Sequence, residues 1–133
     1  YGFEAAAALD TKRNRVLVLG GLGNDLGLYT LGTNTVQAVT LSGLGAAPLN
    51  GTGNGMVYNP ALDAYLLRTP DAGGTLYRID AQTLAVSTLA TTNGGSVVSA
   101  QNGVYRRMLH APGLGGVVYC PQYDANLWFL RTV

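Results

Sequence analysis

Leu28-Tyr29-Thr30-Leu31 returns as Leu76-Tyr77-Arg78-Ile79 and again as Leu127-Trp128-Phe129-Leu130. One apolar-aromatic-x-apolar pattern is thus written three times along a single chain. Each copy follows a second apolar run, at Val16, Tyr65 and Val117, and each run follows a turn signal, at Asp10, Asn59 and Ala111. A glycine opens each unit: Gly2, Gly51, Gly103. The turns recur at about 50 residues, and a period of that size made of short strands is the signature of a β-propeller blade.

Working outward from the repeat, each unit divides into strands. An inner strand crowds a central axis, so small residues suit it, and Ala5-Ala6-Ala7-Ala8 and Gly53-Asn54-Gly55 fit. The second strand is a continuous apolar run, as expected of a strand buried on both faces. Asp, Asn, Pro and Gly punctuate the joins, each for its own backbone reason. Strands are expected near 4–9, 15–19, 27–31, 36–41, 53–58, 64–68, 75–79, 84–89, 105–110, 116–120 and 126–131. The third unit has no segment for an outer strand before Val133. The expected organisation is one all-β domain, 1–133, with blades at 2–49, 50–101 and an incomplete 102–133. A β-sandwich also uses many short strands, but it does not require an internal period.

Composition agrees with this class. The chain has 133 residues, 47% of them hydrophobic, enough for a core. Charged residues are only 11%, against a usual share of about 25%, which points to a surface that is covered in the working state. The net charge of +1 offers no broad field for nucleic acid or an anionic membrane, and no apolar run reaches the ~20 residues of a membrane helix. Cys120 is alone, so no intrachain disulfide forms. With no signal-peptide pattern in view, the lone thiol leans toward a cytoplasmic setting, though the sequence leaves localisation open.

The first unit resembles a kelch repeat. Leu9-Asp10-Thr11-Lys12-Arg13-Asn14-Arg15-Val16-Leu17-Val18-Leu19-Gly20-Gly21 is similar to the kelch order of turn, apolar strand and Gly-Gly, with Leu28-Tyr29-Thr30-Leu31 and Thr33-Asn34-Thr35 following in place. In the second unit Thr69-Pro70 stands where Gly-Gly is expected, and in the third Pro121-Gln122 does. The resemblance implies a propeller of which this chain is the C-terminal half, its last blade lacking an outer strand. Kelch propellers commonly supply that strand from the other end of the chain, and Tyr1 to Glu4 is too short for it. The copper-containing kelch oxidases use two histidines and a Tyr–Cys cross-link, a set with no counterpart in this sequence.

Candidate chemistry is sparse. Gly20-Gly21-Leu22-Gly23 and Gly51-Thr52-Gly53-Asn54-Gly55 lack the Lys-Ser/Thr of a phosphate loop and read as turns. His110 and Cys120 are the only imidazole and thiol, too few for a metal site within one chain. No catalytic residue, metal or cofactor is expected. Arg106 and Arg107 stand out, because they fall in an inner strand that otherwise favours small residues. They are expected at a channel mouth with Glu4, Asn54 and Tyr105, either contacting an anionic or polar ligand or satisfying loop carbonyls and a carboxylate. Tyr1, Phe3 and Tyr105 lie near the same mouth, where aromatics stack on sugars.

The expected function is a non-enzymatic binding or interaction module whose ligand is a glycan or a protein. The alternative is an enzyme with a central-channel site formed between protomers. The expected partner is a second copy of the chain: three blades per chain close as a six-bladed homodimer, inside the roughly 4–8 blades usual for propellers.

Overall fold

In a computed structural model of the chain, residues 4–20, 25–71, 75–92, 97–100 and 102–132 are described. Tyr1, Gly2, Phe3 and Gly21 to Gly23 lie outside them. The protein is all-β, and helix among the described residues is limited to 3-10 turns of three residues. Sheet I runs in the order β1 (Ala5–Asp10), β2 (Arg15–Gly20), β3 (Asp25–Thr30), β4 (Thr35–Ala38), all antiparallel. A two-residue strand, β5 (Ser42–Gly43), then crosses to the next sheet. Sheet II holds β6 (Gly55–Asn59), β7 (Ala64–Arg68), β8 (Leu76–Asp80) and β9 (Ala85–Leu89), again antiparallel, with β5 laid parallel on β9. Sheet III is β10 (Met108–Ala111), β11 (Gly116–Tyr119), β12 (Trp128–Arg131). None of the sheets closes on itself.

The repetition is physical, down to single hydrogen bonds. Asp10 Oδ1 accepts from the Lys12 and Arg13 amides at 3.0 and 3.1 Å. Asn59 Oδ1 accepts from Ala61 and Leu62 at 2.9 and 3.1 Å. These side chains close their own turns, which is why Asp and Asn stand there. Ala111 has no such acceptor, and a 3-10 turn at Pro112–Leu114 replaces the motif. All three turns then reach a left-handed residue, Asn14 (φ 52), Asp63 (φ 46) and Gly115 (φ 68). Each of those carbonyls accepts from a residue just beyond the third strand: Leu31, Ala81 and Thr132, at 3.0, 3.0 and 2.9 Å.

The sheets stack face to face. Alternation along the strands gives each sheet two faces. One face of sheet I carries Ala6, Ala8, Leu17, Leu19 and Leu28 and packs on Met56, Tyr58, Tyr65, Leu67 and Ile79 of sheet II. The other face of sheet II carries Leu66, with Val57 and Leu76, and packs on Met108, Val117, Tyr119, Trp128 and Leu130 of sheet III. Sheet II is therefore covered on both sides, and every residue of β7 is buried. At each join it is the same face of one unit that meets the opposite face of the next: by register, Leu17 of sheet I, Leu66 of sheet II and Val118 of sheet III are equivalent.

Register also corrects the reading of the aromatic motif. Tyr77 pairs with Leu67 and Trp128 with Tyr119, which are equivalent positions, but Tyr29 pairs with Val16, two residues further along. A slip of two preserves the face, so the pattern looked continuous in sequence. The third unit departs more strongly. Its inner strand begins at Met108, not Tyr105, because Tyr105 has φ 40, Gly103 has φ 88, and the Arg107 amide closes a 3-10 turn onto Val104 O at 2.8 Å. Extended backbone cannot include these angles.

Tyr65 is wholly buried against sheet I, and its hydroxyl has no hydrogen-bond partner among the described residues. Burial, with the Asp10 charge next in weight, pushes its phenol up to about 12. An unmet buried hydroxyl costs free energy, so Tyr65→Phe should hold or raise stability, by up to about 1 kcal/mol in urea denaturation. A clear loss would show that the hydroxyl is bonded in solution.

Candidate functional site

Two ends of the stack carry its polar chemistry. At one end the β1–β2 and β6–β7 turns meet in an ion network. Arg13 reaches Asp63 with both terminal nitrogens, at 2.9 and 2.7 Å, and Asp10 Oδ2 at 3.0 Å. Arg15 Nε adds a bond to Asp10 at 3.2 Å, and its Nη2 donates to Ala81 O on sheet II. The Tyr58 hydroxyl donates to Asp63 at 2.7 Å. Asp10 is completely buried, which pushes its carboxyl up, but the bonds from Arg13 and Arg15 outweigh burial and hold it below the usual range. The bonds from Arg13 and then from Tyr58 hold Asp63 far below that range. Every charge in this network faces an opposite charge, so it clamps sheet I to sheet II and leaves nothing for a ligand. At the next join Asn59 replaces Asp10 and donates to Thr132 Oγ1 at 2.8 Å, a neutral version of the same clamp.

The other end is different. Two loops that lead into inner strands there touch through their glycines. A Cβ on Gly53, at φ 77, would meet the Cα of Gly103 at 3.0 Å, and the Val104 amide donates to Gly53 O at 2.6 Å. The chain turns at Gly103 and presents Tyr105, Arg106 and Arg107. Together with Ala5 to Ala7 and Asn54 they line a cleft of about 590 Å³.

Four of the five residues expected at a channel mouth thus share one cleft. Glu4 does not line it. Glu4 lies on the far side of Tyr105, lining a neighbouring cleft with Thr52, Gly53 and Pro70. Burial first and the Glu4 carboxylate second raise the Tyr105 phenol above its ordinary value. Glu4 and Tyr105 both have left-handed backbone, φ 69 and φ 40, an uncommon state for such side chains. The two arginines are placed by the 3-10 turn and not by a strand. Arg107 Nη1 donates to Pro121 O at 2.6 Å, whereas Arg106 is exposed. Asn54 is 2% exposed and donates Nδ2 to Leu49 O at 2.8 Å.

A third polar group lies between sheets II and III. Arg68 is buried, and its guanidinium donates to Thr69 O, the Tyr119 hydroxyl, Asp71 O and Val98 O, with its carbon 4.5 Å from the Tyr119 ring centre. Sequence reasoning passed over it, because one Arg ending an apolar run reads as a strand terminus. Neutral acceptors and a π face satisfy this cation, and it ties two loops to sheet III.

Among the described residues no three His, Cys, Asp or Glu side chains cluster as metal ligands would. His110 is half-buried on β10, and the Cys120 thiol donates to Gln122 O at 3.3 Å. Among the described residues no helix is long and apolar enough to cross a membrane. No protein-family model, curated protein or solved structure matches the chain.

Proposed function

We propose that this chain is a self-assembling, non-enzymatic binding module: three kelch-like propeller blades that close into a six-bladed ring with a second copy. The observation that carries the reading is the pair of uncovered faces at the ends of the stack. Sheet I shows Leu9, Val16, Tyr29 and Val36 in one cross-strand row, with Leu9 45% and Val36 57% exposed. Sheet III shows Leu109, Val118 and Phe129 in another, with Leu109 60% and Phe129 48% exposed. These are the two complementary face types that meet at both internal joins. A second copy is the occupant that carries both types in the right order.

Stacking the sheet III face of one copy on the sheet I face of the next repeats a contact the chain already makes twice. Such head-to-tail contacts close when the rotation completes a circle. Two copies bring six sheets, within the roughly 4–8 blades of natural propellers, while three bring nine. Closure also covers the apolar rows, which soluble proteins rarely leave open.

Head-to-tail stacking has a test that a face-to-same-face dimer cannot pass. Val16→Asp spoils one face and Phe129→Lys the other. Each variant alone should be monomeric, since both seams of its ring contain a buried charge. Mixed in equal amounts they should associate, because one seam is then wild type on both sides and the other pairs Asp with Lys. Size-exclusion chromatography with light scattering reads the result. Failure of the mixture to associate, or dimers from either variant alone, overturns the arrangement.

A further inference from the structure

We propose that the cleft framed by Asn54, Tyr105, Arg106 and Arg107 binds an acidic saccharide, with the arginines taking its carboxylate. This rests on the binding-module reading above, and it does not require the ring to close. The first argument is charge. Among the described residues, the only charged side chains lining the cleft are the two arginines. The acid nearest in the chain, Glu4, lines the neighbouring cleft and not this one. The Arg107 head is set by its bond to Pro121 O. The Arg106 guanidinium meets no acceptor among the described residues, so its planar fork is free for a carboxylate.

The second argument is the company these cations keep. Asn54 is buried at the cleft, its Nδ2 fixed on Leu49 O, and nothing among the described residues donates to its Oδ1. That oxygen is an oriented acceptor for a hydroxyl. Tyr105 is 38% exposed, and its ring packs on the bare Cα of Gly103, where a Cβ would lie 2.4 Å from ring carbon Cε2. A fixed, half-exposed aromatic face suits the C–H face of a sugar ring. Ala5 to Ala7 line the wall with nothing larger than a methyl group, and about 590 Å³ falls in the range of small-ligand sites. A carboxylate, a hydroxyl and a flat apolar face in one small ligand describe a uronic acid unit.

Calorimetric titration of the full chain with a uronic acid disaccharide, the matching neutral disaccharide and inorganic phosphate tests this. The uronate should bind, the neutral sugar about tenfold more weakly or worse, and phosphate more weakly still. Arg106→Ala should weaken uronate binding by about tenfold, with Arg106→Lys recovering part of it. Both variants should keep the parent circular dichroism and mass, because Arg106 is exposed. Equal affinity for the neutral sugar, phosphate binding as tight as uronate, or an Arg106→Ala variant that binds like the parent overturns the proposal. Absence of uronate binding by an intact dimer overturns this inference alone, and binding by a monomer overturns ring closure alone.

Discussion

A chain carrying Leu109→Asp should lose the proposed dimer and sediment near the 13.8 kDa of one copy. Leu109 is 60% exposed on the outer face of sheet III, so the substitution does little inside the protomer. In the proposed closed ring the same position lies within a seam, and such a ring has two seams. Each loses about 2 kcal/mol of apolar contact. Each also gains about 2 kcal/mol of desolvation cost from an unpaired carboxylate, taken at the low end because the group can protonate or shift toward water. Together the seams lose about 8 kcal/mol, a weakening of more than roughly 10⁵-fold. The thermal midpoint should fall with the mass, since the freed sheets expose apolar faces. A variant that keeps both the dimer and the midpoint would contradict the proposed seam.

Arg13→Ala should be the most damaging substitution among the surface-proximal residues. It removes three bonds at once, two to Asp63 on sheet II and one to the buried Asp10. Asp10 keeps Arg15 and its own turn amides, so the loss falls short of that for breaking a fully buried pair but should be plain in urea denaturation. The more exposed Lys12–Asp63 contact at 3.8 Å contributes little, and Lys12→Ala is the control.

Acid titration gives the same network a second signature. Asp63 and Asp10 both have folded values below their unfolded one of about 3.9. Their stabilisation is therefore complete above that value and is lost as pH falls through it toward the lowered folded values, where the unfolded chain binds more protons. The parent should lose stability steeply below about pH 4. Arg13→Ala, with Asp63 returned toward its ordinary value, should show a shallower acid limb. Parallel limbs would mean that Arg13 does not set the Asp63 carboxyl.

What was legible in the sequence was local. Asp10 and Asn59 announce their turns because an Asx side chain bonds amides two and three residues on, and that geometry needs nothing distant. The β7 run of Ala64-Tyr65-Leu66-Leu67 announces a strand covered on both faces. The arginine pair and Asn54 were legible as neighbours because the repeat aligned them. Position within the turn was not: nothing in Val104-Tyr105-Arg106 signals that a tyrosine will adopt φ 40 in a loop whose Val104 amide is bonded to Gly53 O of the preceding unit. Strand β5 was invisible because Ser42-Gly43 has no pattern, and it exists only where Val86 offers an edge. The Arg13–Asp63 clamp and the Arg68–Tyr119 contact join different units, and a periodic reading treats units as copies without showing what passes between them.

Sedimentation velocity of the unmodified chain at micromolar concentration tests the central claim most directly. The account predicts one compact species with the mass of two 13.8 kDa chains, stable on dilution well below the loading concentration. A compact, folded species with the mass of a single chain would contradict it, and a three-chain species would contradict the six-bladed ring.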